Sequence, residues 1–334
     1  MQSFLERLND PAPIIYDGGF GTELFTAGIK LANSALANEL YPDTVVEVHK
    51  SYVDAGVDVI GTNTFVASSL HLAMADKSPD DTDMLVRTAC ELARRSTEGS
   101  DHRVYIAGSI GPSPGAIEED AGDTDFGIPN RDVREAHLRV GTAMAESGID
   151  LFCLETMFSA IEAAMAVDVL RQFNLPIAVN CTYKYTKNRA TGDTVYKTDW
   201  GHTPRSLVEY LANGDYSDGV NLLDYIQMLG LNCGAEQHRV EHTGMPYACT
   251  GTLQLREVLT EMGIEGKSMM AYPNAGIPKL DKQNRTIYDQ SPEEMAALIP
   301  ELLGEGAHII GGCCGTGPAH IRAFRAAIDT YIAG

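Results

Sequence analysis

Short apolar runs alternate with amphipathic segments along the whole chain. The first run, Pro13-Ile14-Ile15-Tyr16, ends in Asp17-Gly18-Gly19-Phe20-Gly21-Thr22. Residues 44–55 then place Val45, Val48, His49 and Tyr52 at helical spacing, and Gly56 closes that helix. Further runs follow at Val57-Asp58-Val59-Ile60, Val104-Tyr105-Ile106-Ala107, Asp150-Leu151-Phe152-Cys153-Leu154 and Pro176-Ile177-Ala178-Val179-Asn180. Residues 82–97, 131–147 and 160–173 between and after them read as helices. After the fifth run the pattern breaks: residues 184–223 form an irregular excursion, with a hairpin expected around Thr191-Gly192-Asp193 and a helix at 204–211. The sixth run, 225–231, ends in Asn232-Cys233-Gly234, and the seventh, Ser268-Met269-Met270-Ala271-Tyr272, ends in Pro273-Asn274-Ala275-Gly276. Helical patterns are expected at 235–242 and 253–262. Ser291-Pro292-Glu293-Glu294 opens another helix with an N-cap serine, a proline in the first turn and two acids behind it. The eighth run, His308-Ile309-Ile310, precedes a last helix at 318–328.

Eight strand–helix alternations, undivided by a repeat or a low-complexity linker, predict one α/β domain over residues 1–334, a (β/α)8 barrel. A doubly wound open sheet is the alternative. The barrel accounts for the Gly, Asn, Thr, Cys and Glu residues just after the apolar runs, because that end of a barrel carries the site. The loop 113–130, with Glu118-Glu119-Asp120, Asp123 and Asp125, reads either as a lid or as a solvated acidic loop.

Composition adds limits. The 334 residues are 44% hydrophobic and 21% charged, in the range of a globular enzyme. The formal charge of −21 argues against nucleic acid or an anionic membrane surface as partner and favours a cationic substrate, although solubility alone also explains it. No apolar run approaches the roughly 20 residues of a membrane span. The N-terminus lacks a basic segment followed by an apolar one, so a cytoplasmic location is expected.

Seven cysteines in a chain of this kind suggest metal or catalysis where they cluster. Cys90, Cys153 and Cys181 sit inside apolar patterns and read as core, and Cys249 is open. Cys313-Cys314, between glycines at the end of the eighth run, and Cys233, at the end of the sixth, would meet on the same barrel face. Three thiolates make a soft ligand set for one Zn2+ with a coordination position left over, which a substrate thiol could take. On a regular strand Cys313 and Cys314 would point to opposite sides, so sharing one metal requires the backbone to bend there. A vicinal disulfide is the other reading of the pair.

The ordered set Asp17-Gly18-Gly19-Phe20-Gly21-Thr22, Thr62-Asn63-Thr64-Phe65, Gly108-Ser109-Ile110-Gly111-Pro112, Glu155-Thr156, Asn232-Cys233 and Gly311-Gly312-Cys313-Cys314-Gly315-Thr316 resembles the homocysteine S-methyltransferase family. The resemblance runs from Asp17 to about Arg325. It implies a zinc-dependent enzyme on a (β/α)8 barrel, with Cys233, Cys313 and Cys314 on the metal and Asp17, Gly18, Thr62, Glu155 and Asn232 around homocysteine. The Glu155 carboxylate is expected to face the substrate amino group. The implied product is methionine. The donor is S-methylmethionine, another sulfonium or ammonium, or a methylcorrinoid. Methylcobalamin would then be an external donor, free or on a separate corrinoid protein, since the chain is too short to carry folate and cobalamin domains as well. Val66, Thr156 and Ala35 stand where the betaine enzymes of the family have aromatic residues, so a cage for a quaternary ammonium is not evident there. Trp200, Tyr183, Tyr185 and Tyr196 either build another or pack. A zinc hydrolase is disfavoured because no histidine cluster accompanies the cysteines. A noncatalytic zinc-stabilised barrel that docks a corrinoid protein remains an alternative.

Overall fold

A computed structural model describes residues 2–122, 124–234, 239–282 and 286–334. Eight parallel strands lie where the apolar runs are. They are β1 (Ile14–Ile15), β2 (Val59–Gly61), β3 (Tyr105–Ile110), β4 (Leu151–Met157), β5 (Ile177–Cys181), β6 (Met228–Cys233), β7 (Ser268–Pro273) and β8 (Ala307–Ile310). They pair in the order β1-β8-β7-β6-β5-β4-β3-β2. A parallel bridge between Tyr16 and Val59 joins the two ends of that order. Closure in sequence order makes this a (β/α)8 barrel and excludes the doubly wound sheet.

Side chains alternate across the barrel wall, as the two-residue strand period demands. Ile14 and Tyr16 of the first strand pack inward with Val59, Tyr105, Leu151, Met228, Met270 and Ile309. Ile15 packs outward against the helices with Ile60, Ile106 and Ile310. A short helix, Phe4–Leu8, is held by a Ser3–Glu6 capping box and plugs the lower end with Phe4 and Leu8. The opposite end stays open.

Close backbone approach fixes part of the wall. A Cβ added at Gly230 would lie 2.0 Å from the Met270 carbonyl oxygen and 2.5 Å from Asn180 Oδ1. Backbone cannot move aside as a flexible side chain can. Gly230→Ala is therefore expected to destabilise the protein by about 1–3 kcal/mol or more, read as a lower denaturant midpoint. An unchanged midpoint would contradict this packing.

Several helices differ in extent from the sequence expectation. The helix expected at 253–262 runs Gly244–Glu261. Its first half buries Met245, Tyr247, Ala248, Cys249, Gly251 and Thr252, so nearly every position is covered and no one-sided period is visible. Of the helix expected at 235–242, residues 235–238 lie outside the described residues, and Val240–His242 is a single 3-10 turn. The sixth strand starts at Met228 because Asn221 caps a 3-10 turn over Leu222–Tyr225. The last helix extends through Pro318–Ala333.

Two loops reach the open end. In 113–130, a helix Glu118–Ala121 and a bridge between Ile117 and Ile128 order the chain, and Ile117 is buried against Val133, Ile161 and Met165. After β5, Lys184–Lys187 pairs antiparallel with Thr194–Lys197, and the return strand delivers Asp199 and Trp200 to the open end.

Candidate metal centre and substrate cavity

A cavity of about 1270 Å³ opens at the C-terminal end of the strands. Cys233, Cys313 and Cys314 line it together with Asp17, Gly18, Thr62 and Glu155. Among the described residues, these three cysteines are the group of metal-ligating side chains brought together: their sulfurs all lie within 4.8 Å of one another.

The convergence has a local cause. Beyond Ile310 the backbone leaves the strand and turns at Cys314-Gly315, with Gly315 at φ +82°. The turn places the Cys313 and Cys314 sulfurs 4.0 Å apart, as free thiols. That separation is about twice a disulfide bond. It is close to the roughly 3.8 Å edge of a tetrahedron with metal–sulfur bonds of about 2.3 Å. The neighbouring loop ends hold the turn. Cys313 N–H donates to the Pro273 carbonyl at 2.8 Å, Cys314 N–H to Asn274 Oδ1 at 3.0 Å, and Gly312 N–H to the Asp17 carbonyl at 2.9 Å. Gly18 and Gly19 permit this interlock, since a Cβ on Gly19 would sit 2.5 Å from the Cys313 carbonyl oxygen.

Cys233 reaches the pair from a left-handed backbone, φ 57°. Thr156 at the end of β4 is left-handed too, at φ 57°. Such conformations cost on the order of 1–3 kcal/mol each outside glycine and persist only where neighbours impose them. Asn232 supplies part of that constraint. Its Oδ1 accepts from Thr156 N–H and its Nδ2 donates to Thr156 Oγ1, both at 2.7 Å. It is fully buried, with Nδ2 3.9 Å from the Cys313 sulfur. Asn232 thus braces two site loops from below, and it is not among the residues lining the cavity.

The three thiols are electrostatically linked. Hydrogen bonds from Cys233 and Cys313 hold the Cys314 thiol well below its ordinary range, while Cys313 is pushed up by the same exchange. One of the trio thus carries negative charge readily and the others serve as donors. Such a set suits a soft divalent metal.

Two carboxylates stand beside the sulfurs. Burial raises Glu155 to about 7, against a hydrogen bond from Ser109 that lowers it. Burial also raises Asp17 well above the carboxylate range, against the Gly61 N–H bond of 2.8 Å to its Oδ2, and Glu155 adds repulsion. Two desolvated acids in one wall call for a cation between them. Thr62 Oγ1 lies 2.6 Å from Thr64 Oγ1 and accepts from Ser109 N–H at 3.1 Å, so one hydrogen-bonded chain runs from β2 through Ser109 to Glu155. Ser109 lay inside a recognised motif without a role. Tyr272 and Tyr288, which also line the cavity, gave no sequence signal apart from ending an apolar run or following one short polar stretch.

The aromatic candidates separate. Tyr183 and Tyr196 are buried in the core, and Tyr185 stacks on His242 at 4.1 Å. Trp200 alone of the four lines the cavity. Cys90, Cys153 and Cys181 are fully buried away from the trio, and Cys249 is buried in the helix Gly244–Glu261.

A family model described as homocysteine S-methyltransferase matches residues 14–328. The methionine synthases of Mycobacterium leprae and Mycobacterium tuberculosis are each 27% identical over 94% of the chain. The chain spans only about a quarter of those proteins, 24% of their length. The homocysteine methyltransferase MmuM from Escherichia coli, in its metallated form, superposes with a TM-score of 0.68 at 22% identity, covering 95% of this chain and 96% of that one. Its oxidized form gives 0.67 at 21%. At this identity the structural likeness speaks for the fold.

Proposed function

This chain belongs to the homocysteine S-methyltransferase family, and on that premise we propose that it moves a methyl group from a small sulfonium donor to the sulfur of homocysteine, forming methionine. The observation that carries the reading is the meeting of three cysteine sulfurs with the carboxylates of buried Asp17 and half-buried Glu155 in one cavity. Cys233, Cys313 and Cys314 would hold one zinc ion, for which three soft thiolates with an open position are well suited. Bound there, zinc would supply the positive charge that keeps a substrate thiol ionised at neutral pH, where a free thiol with a pKa of about 8.5 is mostly protonated.

The chain's own groups do the rest. Glu155 and Asp17 take the ammonium of homocysteine, which restores the charge balance their burial disturbs. Ser109 and Thr62 hold the Glu155 oxygen in place. Gly18 keeps the wall next to Asp17 free of a side chain. The homocysteine sulfur contributes an electron pair to the new S–CH3 bond. The donor's S–CH3 bond breaks with its pair passing to the donor sulfur, which leaves as a neutral thioether. The thiol proton is lost to solvent. No general acid is required, because the leaving group needs no protonation.

Charge favours a cationic donor. Asp17 and Glu155, whose burial a cation would relieve, line the cavity with Glu162 and with Asp199, which pairs with Lys184; Lys30 is the one lysine or arginine among the described lining residues. The similarity to methionine synthases supports a methylcorrinoid as second reading. No helix among the described residues is long and apolar enough to cross a membrane.

A donor panel tests the proposal. Zinc-loaded protein with homocysteine is given S-methylmethionine, betaine or methylcobalamin, and methionine is measured by mass. With homocysteine labelled in its carbon chain and S-methylmethionine as donor, one of the two methionines formed per turnover should carry the label. Methionine from methylcobalamin alone would select the second reading. Zinc-dependent stability with no methionine from any donor would instead mark a noncatalytic docking barrel.

A further inference from the structure

The same cavity is also lined by Ser113, Phe158, Glu162, His71, Asp199 and Trp200. Glu162 is 2% exposed, an unusual place for a carboxylate unless it has partners. Ser113 N–H donates to its Oε1 at 2.7 Å, and His137 Nε2 lies 2.9 Å from the same oxygen. Both bonds end on Oε1, and Oε2 takes none among the described residues. His137 Nδ1 is buried without a hydrogen-bond partner among the described residues. The imidazole thus orients the carboxylate through Nε2 alone.

Among the described residues no lysine or arginine forms an ion pair with Glu162. Burial lowers His71 to about 4, so it is uncharged at neutral pH. The first N–H groups of the helix Ala160–Leu170 are already used: Ala160 donates to His202 Nδ1 at 3.0 Å, and Ile161 and Glu162 donate to Ser159 Oγ at 3.2 and 3.1 Å. This helix start is therefore no anion site. The same Ala160–His202 bond ties the loop carrying Trp200, two residues earlier, to the first turn carrying Glu162. Trp200 is 42% exposed and on the cavity wall. A carboxylate oxygen without a hydrogen-bond partner among the described residues and an aromatic face thus line the same cavity as Asp17 and Glu155, on two segments joined by the Ala160–His202 bond.

We propose that Glu162 is the specificity-determining residue of a donor half-site, its carboxylate receiving the α-ammonium of an amino-acid sulfonium whose onium group rests against Trp200. The assignment rests on the methyl-transfer reading above. An ammonium keeps its charge throughout the transfer, so Glu162 holds ground state and transition state alike. Its loss should appear in KM for the donor and not in kcat. Trp200 faces the onium charge through its ring and selects for any cationic methyl donor.

The test compares two donors that differ at one group: S-methylmethionine and 4-(dimethylsulfonio)butanoate, in which hydrogen replaces the α-ammonium. Wild-type zinc-loaded protein should favour the first in kcat/KM by about tenfold or more, the range of a charge-assisted hydrogen bond. Glu162→Gln should collapse that preference through a higher KM for S-methylmethionine, with the homocysteine KM and zinc content unmoved. Trp200→Leu should weaken both donors together and keep their ratio. Equal KM values for the two donors in the wild type overturn the assignment, and this arm needs no variant to fold. So does a preference that survives Glu162→Gln. If the wild type makes methionine from neither donor, the sulfonium reading itself fails, an outcome distinct from loss of the Glu162 role alone.

Discussion

Cys313→Ala is expected to release the metal and abolish methionine formation together. A four-ligand zinc site contributes about 10–16 kcal/mol, so one ligand carries roughly 3–4 kcal/mol, or a metal affinity about two to three orders of magnitude weaker. The geometry makes this variant clean. Cys313 holds its turn by backbone groups, its N–H on Pro273 and its carbonyl receiving Thr316 Oγ1 at 2.6 Å, and alanine keeps both. The fold should therefore remain and only the sulfur be lost. Zinc content after desalting, the melting temperature with excess zinc, and turnover separate these effects. A variant that retains one zinc per chain and wild-type turnover would refute the role given to Cys313. Cys233→Ala should act alike on the metal.

How much of this was legible beforehand follows from what each residue had to show. The apolar runs marked all eight strands, because a strand buried on both faces is a continuous apolar stretch. The metal trio was legible because two adjacent cysteines among glycines pack badly and so call for chemistry. The bend that lets both sulfurs face one point is a backbone event at Gly315, which composition suggested but could not place. Asn232 shows the limit of a motif: its position next to Cys233 reads as substrate contact, yet the side chain turns inward and pins Thr156. Glu162 shows the opposite. In the sequence it is an acid in the first turn of a helix, where acids are commonplace. Only the fold reveals that helix start to be a cavity wall. The aromatic residues of the excursion were equally ambiguous, since a tyrosine fills a core or a cage with the same side chain. Register and hairpin geometry put Tyr196 in the core and Trp200 on the cavity.

Glu155→Gln should make the protein more stable and less able to bind homocysteine. Glu155 is displaced from an ordinary 4.5 to about 7, with burial as the largest cause. Between those values the folded state binds the proton that the unfolded state has lost. Stability therefore falls as pH rises through this window, and the penalty is fully present above pH 7. At about 1.4 kcal/mol per pH unit it amounts to roughly 3 kcal/mol at most. Glutamine keeps the shape and an oxygen for Ser109 without the charge. The variant should then melt several degrees above wild type at pH 8, with the gap closing by pH 5, where Glu155 is protonated in the wild-type fold as well. Homocysteine binding moves the other way. An ammonium paired with the buried carboxylate loses a charge-assisted bond worth about 1.5–3 kcal/mol, a roughly ten- to hundredfold weaker Kd. Wild-type affinity should likewise decline as pH drops below about 7 and Glu155 takes up its proton. Calorimetric titration at pH 6 and 8, beside thermal melts at pH 5 and 8, reads both arms. A melting difference that is the same at both pH values, or a variant that binds homocysteine as tightly as wild type, would remove Glu155 from the ammonium site. Stability and binding move in opposite directions because one buried charge is responsible for both: the fold bears it unpaired until the substrate arrives.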